Sequence, residues 1–312
     1  MDKIKAWLET TPYKNYKIEI ASADASFRKY YRLTDADKTL ILMDSSLEKD
    51  SLAPFIDVTS RLLDANVNAP QILEKNLKDG FLIIEDFGNT NYLNVLDADN
   101  YKRLYSKAID TIIKMQDADA NNLPLYDKAF LHFEMDLMKD WYLEKNLKVT
   151  LNEGQKSIIK NALNSISDVV LCQPQNIFVH RDYHSRNIML TCDDELGIID
   201  YQDAMNGAIT YDLVSLLKDC YIAYEREEIE LLALEFRDKK GLDASDAEFL
   251  KWFDFMGMQR HMKVLGVFSR LYLRDGKDGY LKDIPLTLKY TLDAASRYEE
   301  TKELSYLLKE VQ

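Results

Sequence analysis

The chain has 312 residues, of which 46% are hydrophobic and 30% are charged, and its formal net charge is −13. This length fits one large two-lobed domain or two ordinary ones, and the composition is that of a globular protein. The negative charge repels phosphate backbones and anionic lipid, so the sequence disfavours nucleic acid and membrane surfaces as partners.

The cysteines and the N-terminal residues indicate in which cellular compartment the protein is found. Cys172, Cys192 and Cys220 are odd in number and lack metal-ligand spacing, as expected for reduced thiols. The first residues open an amphipathic helix rather than a signal peptide, and no apolar run approaches transmembrane length. We therefore predict a cytoplasmic protein.

The first ninety residues predict a small sheet with two helices. Alternation of apolar and polar residues indicates strands, whereas apolar residues at three- and four-residue spacing indicate helices. The predicted strands lie at 16–20, 28–33, 39–43, 71–73 and 81–84. The predicted helices lie at 2–10 and 48–66.

The rest of the chain is predicted to be mainly helical, with one interruption. The predicted helices lie at 99–117, 129–147, 152–167, 211–217, 227–237, 246–273, 286–298 and 301–310. Between the predicted helices at 152–167 and 211–217 lie three short apolar strands, predicted at 177–179, 188–190 and 196–199. A predicted loop at 201–207 follows them. Strands first and helices later predict an α+β fold.

A polar loop from His180 to Asn187 separates the first two of these short strands, and Asp200 ends the third. Phosphoryl transfer from ATP needs one carboxylate that orients the acceptor hydroxyl and takes its proton. It also needs a carboxamide oxygen and a further carboxylate that hold magnesium on the phosphates. Asp182 and Asn187 are separated by the five-residue step of a kinase catalytic loop. We predict Asp182 as the general base, with Asn187 and Asp200 as metal ligands. The alternative is a plain hairpin turn.

The loop resembles that of the aminoglycoside-phosphotransferase-like kinases, with His180, Asp182, His184 and Asn187 in matching places. The resemblance implies a protein-kinase-like two-lobe fold. It has a small antiparallel-sheet N-lobe over residues 1–88 and a large, mainly helical C-lobe over residues 89–312. ATP and Mg²⁺ are the implied cofactors.

The same resemblance assigns nucleotide contacts in the N-lobe. The turn at 22–27 stands where such kinases fold a loop over the phosphates, so Ser26 and Phe27 become candidate contacts through their backbone N–H groups. A plain hairpin turn is the competing interpretation. The segment after the fifth strand stands at the hinge, so Glu85 and Phe87 are the candidates for adenine.

The third strand departs from the kinase pattern. It ends in Met43 and Asp44, where the family carries a lysine for the phosphates. Either Arg28 or Arg32 substitutes, since the arginine fork suits phosphate oxygens, or magnesium supplies most of the positive charge.

Three further strings, at residues 25–32, 199–204 and 258–268, resemble the bacterial anomeric N-acetylmuramate/N-acetylglucosamine kinase branch of this family. The branch implies a small-molecule sugar as substrate. It implies transfer of the ATP γ-phosphate to the anomeric hydroxyl of an amino sugar in cell-wall recycling.

Acceptor contacts are predicted at Gln202 and Asp203, which directly follow the metal ligand, and at Arg260. The competing interpretation is that the charged residues of the predicted helix at 246–273 form a solvent-exposed face. We favour this interpretation for Lys263. Three residues are predicted to support the catalytic loop rather than react: His180, His184 and Asp212. The role of Arg181 stays open.

Two other functions compete with a sugar kinase. One is a kinase for another small alcohol, such as an aminoglycoside or choline. The other is a nucleotide-binding pseudokinase, favoured by the missing lysine and opposed by the intact Asp182, Asn187 and Asp200. No oligomeric state follows from the sequence.

Overall fold

A computed structural model describes residues 1–22, 28–191 and 195–311, so Ser26 and Phe27 lie outside the described residues. The chain forms two compact units. Unit 1 comprises Met1–Val95 and Arg186–Asp203, and unit 2 comprises Leu96–Ser185 and Ala204–Gln312. The functional boundary at residue 88 stays a prediction. Across the described residues, no helix combines the length and hydropathy that a membrane span requires.

The strands and helices are numbered in chain order over the described residues. The strands are β1 (Lys17–Ser22), β2 (Lys29–Asp35), β3 (Lys38–Asp44), β4 (Ile72–Asn76), β5 (Phe81–Glu85), β6 (Ile177–Val179), β7 (Ile188–Leu190), β8 (Leu196–Ile198) and β9 (Met205–Gly207). The α-helices are α1 (Asp2–Leu8), α2 (Leu52–Asp64), α3 (Tyr92–Val95), α4 (Tyr101–Met115), α5 (Lys128–Leu137), α6 (Glu153–Cys172), α7 (Tyr211–Leu217), α8 (Arg226–Lys240), α9 (Asp246–Asp275), α10 (Ile284–Ala295) and α11 (Lys302–Glu310). A π-helix over Met138–Asn146 continues α5, and 3₁₀ turns lie at Lys49–Ser51 and Asp278–Asp283.

Unit 1 is built on a five-stranded antiparallel sheet in the order β1-β2-β3-β5-β4. Leu33, Leu42 and Ile83 point to one side of this sheet and are fully buried against Ile4 and Leu8 of α1. Met43 and Leu82, which pair with each other on the opposite side of the sheet, are fully buried as well. The predicted N-terminal sheet is therefore confirmed.

The antiparallel β7–β8 hairpin also belongs to unit 1, although almost a hundred residues separate it from Val95. The Leu190 N–H donates to the Thr90 carbonyl, and the Ile198 N–H donates to the Asn68 carbonyl, each at 2.9 Å. Backbone hydrogen bonds thus attach the hairpin to the segment that precedes β4 and to the segment that follows β5.

Unit 2 is organised around α9, a helix of 30 residues that packs against α5, α6, α7, α10 and the π-helix. Its centre is buried on nearly every side, including Phe253, Met258 and Leu265. Gly266 lets the backbones approach closely, since a Cβ there would lie 2.3 Å from the Leu137 carbonyl carbon. A helix enclosed in this way directs its polar side chains toward interior partners rather than solvent.

Two local predictions are wrong. The predicted helix at 129–147 changes to a π-helix from Met138, a shift in hydrogen bonding that apolar spacing does not reveal. The predicted loop at 201–207 ends in β9, in which Gly207 pairs with Ile177 of β6. Met205, Asn206 and Gly207 lack the apolar run that marks the other short strands, so the sequence gives no signal for this strand.

Candidate active site

The catalytic loop begins after β6 in unit 2, and a buried carboxylate holds its entry. Asp212, in the first turn of α7, accepts hydrogen bonds from the His180 N–H at 2.8 Å and the Arg181 N–H at 3.0 Å. Arg181 has a φ of +77°, a conformation that costs about 1–3 kcal/mol and persists only where the surroundings enforce it. The structure thus places Asp212 and His180 in the predicted supporting positions.

Asp182 follows this strained residue and is partly exposed. Its N–H donates to His180 Nδ1 at 3.2 Å, and its carbonyl accepts from the His184 N–H at 3.0 Å. Burial opposes ionisation of the side chain, but nearby cationic groups outweigh it and hold the pKa of Asp182 well below its usual value. The largest contributions come from Lys263 and Arg260, and Arg181 also contributes. The low pKa keeps Asp182 ionised, and its role as general base stays a prediction.

Glu134 of α5 is the centre of a buried charge network behind the loop, with 3% of its surface exposed. Its carboxylate lies 2.6 Å from Arg181 Nη2 and 3.3 Å from Lys263 Nζ. It also accepts from the amide of Gln259 at 3.1 Å and from the hydroxyl of Tyr126. Burial would raise the pKa of Glu134, but Lys263 and Arg181 lower it below the usual value. Arg181, whose role the sequence left open, is thereby held by an internal carboxylate.

The string at residues 258–268 belongs to α9, and its polar side chains lie near the same loop. The prediction of a solvated face for Lys263 is wrong, because its ammonium group points inward to Glu134. Arg260 has 3% of its surface exposed, and its guanidinium lies 6.0 Å from the centre of the Tyr211 ring. Within the described part of the chain, its Nε has no hydrogen-bond partner. Such deep burial does not fit the predicted contact of Arg260 with an acceptor.

The two predicted metal ligands lie together in unit 1, at the open end of the β7–β8 hairpin. The Ile199 N–H donates to the Asn187 carbonyl at 3.2 Å and closes that end. The Asn187 amide donates to one carboxylate oxygen of Asp200 at 3.3 Å, and the Gln202 amide donates to the other at 3.0 Å. Asp200 is exposed and has a φ of +66°, so a strained backbone presents its carboxylate. Asp203 is exposed beside them.

This pair fits magnesium. Mg²⁺ is usually held by one or two carboxylates together with waters and substrate phosphates, rather than by an all-protein cage. The described ranges contain no group of three or more His, Cys, Asp or Glu side chains that could form such a cage. Asn187 and Asp200 offer oxygen donors at an exposed position, which leaves the remaining ligands to a nucleotide.

The structure separates the two arginines that were candidates for phosphate. Arg32 donates to Asp86 through Nε at 2.6 Å and Nη2 at 3.0 Å, and through Nη1 to Asn89 at 2.8 Å. The guanidinium group of Arg32 is therefore bound by residues of the segment that follows β5. Arg28 is buried, and its Nε donates to the Ser51 hydroxyl at 3.3 Å. Of the two, Arg28 remains the candidate for phosphate.

The predicted hinge residues lie at the end of β5. Glu85 pairs with Leu40 of β3, and its N–H donates to the Gln71 carbonyl at 3.0 Å. The Phe87 ring lies against Gly197 of β8, where a Cβ would come within 2.4 Å of the ring. A side chain at residue 197 would therefore displace Phe87, so this contact requires glycine.

Sequence reasoning missed Glu134 and Asp219 as parts of the catalytic surroundings. Glu134 lies on the apolar face of α5 between Leu131 and Met135, and a carboxylate in that position is a signal of a buried ion pair. Asp219 follows an apolar run that ends in Leu217, where a charged side chain is equally unexpected.

Comparison with known proteins agrees with this geometry. Residues 17–248 match the model of the phosphotransferase enzyme family. The chain belongs to this family. The phosphotransferase is 38% identical to the N-acetylmuramate/N-acetylglucosamine kinase of Neisseria meningitidis serogroup B over 99% of this chain and 95% of that protein. It is also 38% identical to the protein of the same name from Pseudomonas aeruginosa, over 92% of this chain and 86% of the relative.

Among solved structures, the phosphotransferase resembles aminoglycoside phosphotransferase APH(2'')-Ib in its ADP-bound form. The TM-score is 0.63 at 14% identity, and the match covers 94% of this chain and 98% of the other. The predicted family and the predicted α+β, protein-kinase-like fold are confirmed.

Proposed function

We propose that this phosphotransferase transfers the γ-phosphoryl group of ATP to the anomeric hydroxyl of an N-acetylated hexosamine, either N-acetylmuramate or N-acetylglucosamine. The names of relatives that match nearly the whole chain support this substrate class. The observation that carries the chemistry is the position of Asp182 in a loop that Asp212 holds through the N–H groups of His180 and Arg181. Cell-wall recycling is the proposed setting, and the cytoplasm is the proposed location.

Asp182 is the proposed general base. The anomeric hydroxyl donates its hydrogen bond to the carboxylate, which takes the proton as the sugar oxygen attacks the γ-phosphorus and ADP leaves. An anomeric hydroxyl is more acidic than a simple alcohol. Little base strength is therefore needed, and a carboxylate that stays ionised can orient the hydroxyl and accept its proton as the bond to phosphorus forms.

Asn187 and Asp200 are the proposed ligands of Mg²⁺, which when bound neutralises charge on the β- and γ-phosphates. Gln202 donates to Asp200, so we propose that it fixes the direction of that carboxylate. Arg28 is the proposed protein cation for phosphate. Glu85 and Phe87 remain the proposed contacts for adenine, through the backbone of the segment after β5.

Gln202 and Asp203 remain the proposed acceptor contacts, since amide and carboxylate groups suit sugar hydroxyls. Arg260 receives a different role, because 3% exposure leaves little surface for contact with a sugar. We propose that it acts on the ionisation of Asp182 through its charge.

The test compares each free sugar with the same sugar whose anomeric oxygen is blocked as a methyl glycoside. ATP-dependent turnover is measured, and the phosphorylated position is determined by NMR. The free sugar is expected to react and the glycoside is not, because the glycoside lacks the attacking hydroxyl. Equal turnover of both would place the phosphate on another hydroxyl. Turnover of aminoglycosides or choline alone would replace the proposed acceptor, and turnover of no alcohol would favour a pseudokinase.

A further inference from the structure

The exit end of the catalytic loop contacts a second buried aspartate. Asp219 has 1% of its surface exposed and lies two residues beyond the end of α7. One of its carboxylate oxygens accepts both the N–H of Ser185, at 2.9 Å, and the hydroxyl of Ser185. The other oxygen accepts the N–H of Tyr221 at 3.0 Å. Ser185 is thus held through its backbone and its side chain together.

Asp219 and Asp212 form a pair around one short helix. Asp212 lies in the first turn of α7 and binds the loop entry at His180 and Arg181, whereas Asp219 follows α7 and binds Ser185. Asp182 lies between these two attachment points. A loop fixed at both ends by buried carboxylates has few ways to displace the side chain between them.

The segment that carries Asp219 is itself fixed from α9. His261 donates through Nε2 to the Lys218 carbonyl at 2.9 Å, and burial lowers the pKa of this histidine to about 3, so it stays neutral. The Lys218 ammonium pairs with the buried Asp254 at 2.6 Å. These contacts hold the backbone on the N-terminal side of Asp219.

Two further contacts connect this segment with the base. The Tyr221 ring meets the His184 ring edge-on at a centroid distance of 5.3 Å. Burial lowers the pKa of Arg260, but acidic groups that include Asp182 and Asp219 raise it above its usual value. The charge of Arg260 in turn lowers the pKa of Asp182.

We propose that Asp219 is a positioning residue for phosphoryl transfer, which fixes Ser185 and thereby the orientation of Asp182. The proposal rests on the proposed function in one respect, the role of Asp182 as base. Misplacement of a reacting group by about 1 Å costs on the order of 100-fold in rate. Loss of the Asp219 contacts should therefore lower kcat and leave ATP binding unchanged.

The experiment uses the full chain with the substitutions Asp219→Ala, Asp219→Asn and Ser185→Ala, and the double variant of Ser185→Ala with Asp219→Ala. Ser167→Ala is the matched control, since Ser167 is also buried and its hydroxyl donates to a backbone carbonyl, that of Leu163 at 2.9 Å. For each variant, kcat, the KM values of sugar and ATP, and Tm are measured. Hydrogen exchange is followed in the peptide that covers the catalytic loop.

Asp219→Ala is expected to lower kcat by about 10- to 100-fold with an ATP KM within about twofold of wild type. Ser185→Ala is expected to have a smaller effect, because the backbone N–H of residue 185 still binds Asp219. The double variant should match Asp219→Ala, since both substitutions remove one interaction. Ser167→Ala should keep the wild-type kcat.

Three results would overturn the proposal. They are a folded Asp219→Ala variant with wild-type kcat, a double variant whose loss is the product of the single losses, and an ATP KM that changes as much as kcat. If Asp219→Ala does not fold, the positioning role is tested with two other variants. These are Asp219→Asn, which keeps one acceptor oxygen, and Ser185→Ala. A kcat for Ser185→Ala equal to that of Ser167→Ala then contradicts the positioning role.

Hydrogen exchange separates this proposal from the proposed function, because it needs no substrate. Faster exchange of the loop amides in Asp219→Ala than in wild type supports the positioning contact even if no sugar is phosphorylated. Unchanged exchange overturns it whatever the sugar assay gives.

Discussion

The surroundings of Asp182 in unit 2 differ sharply from those of Asp200 in unit 1. Asp182 belongs to a loop held by buried carboxylates, and interior cations fix its ionisation. Asp200 is exposed and accepts hydrogen bonds from two neutral amides, those of Asn187 and Gln202. A base must keep its orientation and pKa before any substrate arrives. A metal ligand can rely on the metal and the phosphates to complete its surroundings.

The two regions should also differ in their cost to stability. Removal of one partner from a buried ion pair costs about 3–5 kcal/mol, whereas an exposed substitution usually changes stability by about 0.5 kcal/mol or less. Substitutions near Asp182 therefore combine losses of rate and stability, whereas those near Asp200 should affect ligand binding alone.

The largest expected effect is that of Asp182→Asn. Loss of the general base should lower kcat by about 10²–10⁴-fold, with ATP affinity nearly intact. Steady-state kinetics and nucleotide titration measure the two quantities, with the exposed Asp168→Asn as a control for loss of one negative charge. A near-normal kcat in Asp182→Asn would show that another residue is the base. The contrast between Asp182 and Asp200 would then have no functional meaning.

The next largest effect is expected for Asp200→Ala. Without this ligand, Mg²⁺-dependent nucleotide binding should weaken by about 10- to 100-fold or more, and excess metal should restore it in part. Because Asp200 is exposed, Tm should fall only slightly, by the cost of placing alanine at a φ of +66°. A metal titration identical to that of wild type would contradict the assignment, and a large fall in Tm would contradict the contrast between the regions.

A smaller effect concerns pH. Lys263 is one of the cations that lower the pKa of Asp182, so Lys263→Met should let that pKa rise. The acidic limb of the kcat/KM profile should therefore move to higher pH. Lys251→Met, on the same helix but paired with the surface residue Glu300, is the control and should leave the limb in place. A limb that stays fixed or moves to lower pH in Lys263→Met would show that Lys263 does not act on the base.

The smallest expected effect distinguishes the two arginines of unit 1. Arg28→Ala should weaken ATP more than ADP, by about tenfold, because a hydrogen bond to a charged group is worth about 1.5–3 kcal/mol and only part of it is specific to the γ-phosphate. Arg32→Ala should weaken both nucleotides equally, since Arg32 binds Asp86 and Asn89. Calorimetric titration of both nucleotides measures the ratio. An equal loss of ATP and ADP affinity in Arg28→Ala would leave phosphate recognition to the metal.

The sequence predicts the sheet of unit 1 and the helices well, because apolar residues recur along most elements at the spacing of a strand or of a helix. Asp182, Asn187 and Asp200 could be chosen because a local loop fixes their spacing. The network around Glu134 could not be predicted, since Glu134 and Arg181 lie 47 residues apart and meet only through packing. The same holds for Lys263: helical spacing assigned it to a face, but the neighbour that covers this face is set by the tertiary structure.

Unit 1 is assembled from two separate stretches of chain, and this discontinuity constrains the order of events during synthesis. Tyr201 stacks on Phe55 and hydrogen-bonds Thr59 of α2, so part of the first stretch's core arrives only with the second. At about 5–20 residues per second, the ribosome needs several seconds or more to advance from residue 95 to residue 203. During that interval the nascent sheet lacks the β7–β8 hairpin and Tyr201. A fragment that ends at Val95 should therefore be a substrate for chaperones rather than an independently folding domain.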